Sequence, residues 1–384
     1  MKNNYSAVRQ AMLVACGLAA SAMDPVYAQS SVTLYGIVDD SLFWGNDTSP
    51  GGNVYGLRDG VLGGSRWGLK GSEDIGGGVH VVFQLENGFS LNKGTMGNAE
   101  FGRQAYVGVN SNTWGALTLG RQYTPDTDVV QPLTGDAYLG GTFATPGDID
   151  NYDNSIRLSN AVKYTSPTLN GVKLVALYAA GNQAGSLRDR NAWGAALSYG
   201  AGPFSVAVSY SSFDGGRATG IRTFATTTSD SIFNSGVNAA YVSAASIKVA
   251  RVAVNYRIGS LALGGSYSNS RYTNDGQSAF QTTETYNAAN AVIGWQLSPA
   301  LLGAIGYSYL HSSGDSSAIY NQINAGTSYL LSKRTKLYLV GAWQHASGRR
   351  DAAGDPATAS VGSTGLVGGG SSQAQVTLGI RHSF

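Results

Sequence analysis

Cysteine is almost missing from this chain. Cys16 is the only one in 384 residues, so everything beyond it lacks the thiols for a disulfide, a thiolate metal site or a cysteine nucleophile. Methionine (4) and proline (9) are also scarce. Charged residues are 12% of the chain, about half the usual globular share. Neither sign dominates, with 25 Lys and Arg against 23 Asp and Glu. That balance argues against a nucleic-acid partner, which calls for a clustered basic excess. Past residue 28 there is no apolar run of the about 20 residues that a membrane-spanning helix needs.

The N-terminus reads as a secretory signal peptide. Lys2 and Arg9 form a basic start, Ala11 to Met23 an apolar and small-residue core, and Val26-Tyr27-Ala28 a cleavage site. Residues 1–28 would be removed, and a mature chain of 356 residues would start at Gln29. A rival is a lipoprotein box at Leu13-Val14-Ala15-Cys16, although little apolar sequence separates Arg9 from Cys16.

What the chain has in quantity is glycine (53) and tyrosine (22), spread through short alternating segments. In 32–39, Val32, Leu34, Gly36 and Val38 alternate with Thr33, Tyr35, Ile37 and Asp39. Val79, Val81, Phe83 and Leu85 alternate with His80, Val82, Gln84 and Glu86. Leu337, Leu339, Gly341 and Trp343 repeat the pattern against Lys336, Tyr338, Val340 and Gln344. A period of two with one apolar face is a strand. Short turns at 76–78, 166–171 and 200–203 contrast with long polar stretches at 46–62, 124–156, 213–246 and 348–371.

About sixteen strand candidates emerge, each near the ~9–11 residues that cross a bilayer at a tilt. In hydrocarbon every backbone donor and acceptor needs an internal partner, so such a sheet has to close. The expectation is therefore an all-β fold, a transmembrane antiparallel barrel, with a lumen too wide for side chains to fill and an inward face that is polar. The final strand carries Val376, Leu378, Ile380, His382 and Phe384 on one face. Ile380 and the terminal Phe384 read as an outward signal for barrel-insertion machinery. Trp295, Tyr307, Tyr309 and Trp343 suit aromatic girdles.

Several motifs in order carry a family likeness. Ser31–Gly36, Arg66–Asp74 followed by three glycines, Arg103–Gly108, Leu119–Tyr123, Arg157–Asn160 and Phe384 resemble the general-diffusion porins of Gram-negative bacteria, over residues 29–384. The resemblance implies sixteen strands, a homotrimer in the outer membrane, lipid bilayer and lipopolysaccharide as surroundings, and the third long loop folded into the lumen. It implies passage of ions and small polar solutes.

On that likeness, 124–156 is the inward loop, rich in Asp and devoid of Lys and Arg. Asp128 is the first candidate for its pore-facing acid, with Asp126 or Asp136 as the second. The facing wall would be Arg66, Lys70, Arg103, Arg157 and Lys163. Ile37 stands where some relatives place lysine, which lowers the basic charge. Acid and base across a narrow gap would set up a transverse field and bias ion flow. The named acids and bases nearly balance, so no ion preference follows. Arg121 shares a face with Leu117 and Leu119, and at the lipid midplane it would cost ~2–4 kcal/mol. It is therefore expected under a neighbouring subunit, with Tyr106, Gln104 and Gly108 in the same interface; the alternative is a place at the headgroup level, where the cost is near zero.

His80, His311, His345 and His382 are scattered without metal-ligand spacing. No Gly-x-Ser-x-Gly elbow and no phosphate-binding Gly-Lys motif is present. The reading is a channel without cofactor, metal or catalysis. The rivals are a substrate-specific channel, a barrel serving as adhesin or enzyme, and a soluble secreted β-protein.

Overall fold

Which way a side chain points decides the whole architecture here. A computed structural model describes residues 30–49, 51–97, 99–217, 222, 233 and 235–384. The expected signal peptide, 1–28, lies outside the described residues. The strands of the wall are β1 (Ser31–Gly45), β2 (Arg66–Asp74, with an upper piece Val54–Asp59), β3 (Val79–Ser90) and β4 (Gln104–Ser111, with an upper piece Thr95–Met96). They continue with β5 (Gly115–Tyr123), β6 (Arg157–Thr165), β7 (Val172–Ala179), β8 (Ala192–Ala201), β9 (Phe204–Asp214) and β10 (Ser246–Ile258). The last six are β11 (Leu261–Thr273), β12 (Glu284–Gln296), β13 (Leu301–Ser313), β14 (Ile319–Leu330), β15 (Thr335–Ser347) and β16 (Ser372–Ser383).

Every neighbour in this order pairs antiparallel, and β1 closes the ring on β16, from Ile37 opposite Ser383 to Gly45 opposite Gln375. The expected closed barrel of sixteen strands is what forms. Phe384 extends the seam by exchanging backbone hydrogen bonds of 3.1 Å with Gly36 in both directions. Its ring lies over Gly36, where an added Cβ would collide with the ring edge.

The outer face is apolar and exposed, as lipid requires. Leu34, Leu42, Val107, Leu119, Ile305 and Leu378 all expose at least half of their surface. Trp295, Tyr307 and Trp343 are exposed on the same face. The upper piece of β2 was expected as loop; Asp40–Gly45 of β1 pairs with it and draws it into the wall.

The inner face departs from the expectation of a polar lining. Tyr272, Tyr286, Tyr320, Leu310, Ile247 and Phe213 point inward and are essentially fully buried. They stay dry because loops fold over them. Ile149 and Ile156 come from the third loop, Val237 and Tyr241 from the fifth, and Ala357 from the last. Tyr272 and Tyr286 pack edge to face at 5.3 Å, and Tyr241 meets Phe280 at 5.0 Å. One side of the lumen is thus a hydrophobic core, and a gap beside it is lined by the third loop and the strands around Arg66, Arg103 and Arg157.

Candidate pore constriction

The third loop leaves β5 at Thr124 and returns to β6 at Arg157. It forms two short helices, α1 (Pro125–Val129) and α2 (Asp136–Leu139). Proline at the first turn of α1 suits it, since no N–H is needed there. Two cations hold the loop. Arg251 of β10, buried, donates to Asp126 Oδ2 at 3.1 Å and to the Asn151 carbonyl at 2.9 Å. Its guanidinium also lies 5.2 Å from the Tyr152 ring centre. It therefore grips the outgoing and the returning arm together. Lys163 of β6 donates to Asp128 Oδ2 at 2.7 Å and to the Tyr123 carbonyl at 3.2 Å.

The last loop adds a second set of ties. Gln344 and Ser360 exchange backbone-to-amide hydrogen bonds of 2.5 and 2.8 Å. Gly362 N–H donates to Gln322 at 2.9 Å, and its carbonyl accepts from Gly147 N–H at 2.8 Å. Ser363 N–H donates to the Gly141 carbonyl at 3.0 Å, and its hydroxyl donates to Asp153. The tip of the third loop abuts the 60–64 segment that interrupts β2. Gly140 has φ +72°, and a side chain there would collide with the Val61 carbonyl.

Between these parts lies a gap of about 480 Å³. Arg66, Arg103 and Arg157 line one side; Gln131, Asp136, Asp153 and Asn154 line the other. Arg103 Nε donates to Glu86 Oε1 at 2.8 Å, and Arg66 Nε stands 3.9 Å from Glu86 Oε2. Tyr123 and Tyr35 also donate to Glu86, at 2.6 and 2.8 Å. The Arg103 and Arg157 guanidiniums each stand 5.7 Å from the Tyr123 ring centre. Arg381 of β16 donates to the Leu62 carbonyl at 3.1 Å at the rim. On the loop, Gln131 donates to Asp136 at 2.7 Å. Burial and the neighbouring Asp153 carboxylate push Asp136 well above the ordinary carboxylate range. Asp148, buried behind it, is pushed up to about 8 by burial and by Asp153 and Asp150.

Of the residues expected from sequence, Arg66, Arg103, Arg157 and Asp136 meet at the gap. Others sit elsewhere. Asp128 and Lys163 pair with each other, so they do not face across it. Asp126 is buried against Arg251 and lines nothing. Lys70 faces inward but four residues further toward the 76–78 turn, about 13 Å along the strand; its ammonium lies 5.4 Å from the Tyr35 ring centre. Tyr106 turns into the lumen rather than toward an interface, donating to Gln84 at 2.9 Å. Gln104 and Gly108 share its face, because Arg103 precedes β4 and escapes its alternation. Arg121 faces outward as expected, but its own chain covers it. Its guanidinium donates to the Gly102 carbonyl at 2.6 Å and to Ser159 Oγ at 2.7 Å.

Three participants escaped the sequence reading: Arg251, Glu86 and Arg381. Glu86 and Arg381 were placed on inward faces by alternation, and that was their only signal. Two of the expected acids, Asp126 and Asp128, are taken up by Arg251 and Lys163, and two of the expected bases, Lys163 and Lys70, also lie away from the gap.

Comparison with known proteins agrees with the barrel fold. The sequence profile of the Gram-negative porin family matches residues 11–349. An outer membrane porin protein of Bordetella pertussis is 34% identical over 231 residues, a match spanning 52% of this chain and 58% of that one. Outer membrane porin protein 32 of Delftia acidovorans is 28% identical over 99% of both chains. Among solved structures, the anion-selective porin from Comamonas acidovorans superposes with a TM-score of 0.72 at 23% identity, covering 93% of this chain and 100% of that one. OmpT, an outer membrane protein of Vibrio cholerae, gives 0.65 at 16% identity, over 92% of this chain and 98% of that one. The chain belongs to the Gram-negative porin family: it is an outer-membrane barrel that forms a water-filled channel for passive diffusion of ions and small hydrophilic solutes.

Proposed function

We propose that this porin is a homotrimeric channel whose constriction is the gap between Arg66, Arg103 and Arg157 and the Asp136 side of the third loop, and that it favours anions. One observation carries the preference. Four guanidiniums, with Arg381 at the rim, face or flank the gap. Against them stand Glu86 and the Asp136–Asp153 pair, in which burial and the Asp153 carboxylate raise Asp136 well above the ordinary carboxylate range. Asp126 and Asp128 are consumed by Arg251 and Lys163. A ring of net positive charge concentrates anions and repels cations. The related Comamonas protein is titled anion-selective, and one solved form of Vibrio cholerae OmpT is a trimer. At their identities these support the fold alone, so the preference rests on this chain's own charges. Diffusion through such a gap runs down the gradient and needs no catalytic step.

The same reading includes export through a signal peptide at 1–28, recognition of Ile380 and Phe384 by barrel-assembly machinery, and a lipopolysaccharide-bearing outer leaflet around the rim. The test is planar-bilayer recording of purified protein. Conductance steps that close in threes support the trimeric channel. Substituting Arg66, Arg103 and Arg157 together by glutamine should move the reversal potential toward the cation side. An unchanged potential would remove the arginines from the constriction.

A further inference from the structure

The outer wall carries few charges, and two of them stand directly opposite each other. Among the described strand residues, cations face outward at Arg121, Lys248 and Arg271; all others turn inward. Arg121 is covered by its own chain, whereas Lys248 and Arg271 are exposed. Their inward-facing neighbours Ile247, Val249, Ser270 and Tyr272 are buried, which fixes the outward direction. Lys248 and Arg271 are register partners across β10 and β11. Like charges directly opposite on a sheet repel each other. Among the described residues neither forms an ion pair within 4 Å. The nearest outward acid on these strands is Asp214, two positions further out, whose Oδ1 already accepts from the Arg190 and Gly216 backbone N–H groups at 3.1 and 2.8 Å.

Their depth is set by the residues below them. Tyr210 lies one outward step toward the membrane centre and Tyr267 two, both exposed on the same face. Tyr256 marks the other end of β10, eight residues from Lys248, about 26 Å along the strand and about 20 Å in depth at the usual tilt. That is close to the ~25 Å apolar band of such barrels. Lys248 and Arg271 therefore sit close to the upper edge of the band, next to the long loops, within side-chain reach of the outer-leaflet headgroups. Beside them Asn269 and Asn287 are joined by a 2.8 Å hydrogen bond, and Tyr267 donates to Asn287 at 2.7 Å. This is a polar shelf suited to sugar hydroxyls.

We propose that Lys248 and Arg271 form a binding site on the barrel's outer wall for a phosphate of the phosphorylated glycolipid of the outer leaflet, with the Asn269–Asn287 shelf receiving its sugar. An anion between the two cations turns their repulsion into attraction, and the sugar contacts favour a glycolipid over a phospholipid. The site rests on the outer-membrane placement of the barrel and lies outside the conducting path.

The test is native mass spectrometry of the purified full-length protein titrated with three probes: lipid A bearing both phosphates, enzymatically dephosphorylated lipid A, and phosphatidylglycerol. Bisphosphorylated lipid A should be retained most tightly. K248Q/R271Q should weaken it about thirty-fold, about five-fold for each cation, while single-channel conductance stays that of the wild type. Equal retention of dephosphorylated lipid A by the wild type would overturn the proposal without any variant. So would phosphatidylglycerol binding as tightly as lipid A, or an unweakened double variant. If lipid discrimination fails while conductance persists, the site is wrong and the channel reading stands.

Discussion

Replacing Arg251 by methionine should release the third loop inside an otherwise intact barrel. The Arg251 and Asp126 side chains are 2% and 5% exposed, and Asp150, equally buried, stands in the same cluster. Methionine fills the space but leaves buried carboxylates without their cation. Breaking a buried pair from one side costs about 3–5 kcal/mol. The wall does not share that cost, because β10 keeps its whole register with β9 and β11. The cost falls on the loop, shifting its seated-to-released equilibrium roughly a hundred- to a few-thousand-fold. Single-channel recording should then show a noisy open level with sub-states, while the barrel still shows native heat-modifiable migration. Asp126→Asn together with Arg251→Gln should be quieter than Arg251→Met, because the charge leaves with its partner. An R251M channel as quiet as wild type, at the same conductance, would refute the idea that this guanidinium holds the loop.

Three further outcomes are expected. Asp148 has its ordinary value of 3.8 pushed up to about 8; the folded loop keeps a proton that the unfolded loop releases near 4. Loop stability is therefore fullest in acid and falls between about pH 4 and 8; ionisation of Asp148 as the pH passes about 8 also adds negative charge behind the gap, so anion preference should decline between pH 6 and 9, and a flat reversal potential over that range would contradict this. Deleting 357–364 removes the ties to Gln322, Gln344 and Gly141 and should raise the rate at which larger sugars swell proteoliposomes; an unchanged size limit would deny this loop a part in narrowing the lumen. Gly36→Val would drive a side chain into the Phe384 ring and should lower the yield of folded barrel in a refolding assay, whereas the same change at Gly56, where no atom lies within 4 Å, should not.

The wall of the barrel was legible because lipid enforces a strict rule. Leu34, Leu119 and Leu378 face out, and the period of two carries that into the sequence. The lumen obeys no such rule. Tyr272 and Tyr286 look like water-facing residues in an alternating strand, and only the loops folded over them make that position dry. Arg251 is one inward arginine among small residues; its importance comes from Asp126 and Asn151, 125 and 100 positions away. Asp128 is expected on the loop and Lys163 on the facing wall, and sequence does not reveal that they pair with each other. The strand Gln104–Ser111 alternates too weakly for sequence to tell that Tyr106 turns into the lumen beside Gln84.

The central claim is that the gap is net basic, its arginines outweighing the acids that Arg251 and Lys163 leave free. The most direct test is the reversal potential of the wild-type channel in a planar bilayer under a KCl gradient at pH 6. The account predicts a potential of the sign set by chloride. A potential of the sign set by potassium would show that the loop carboxylates, not the arginines, govern the gap.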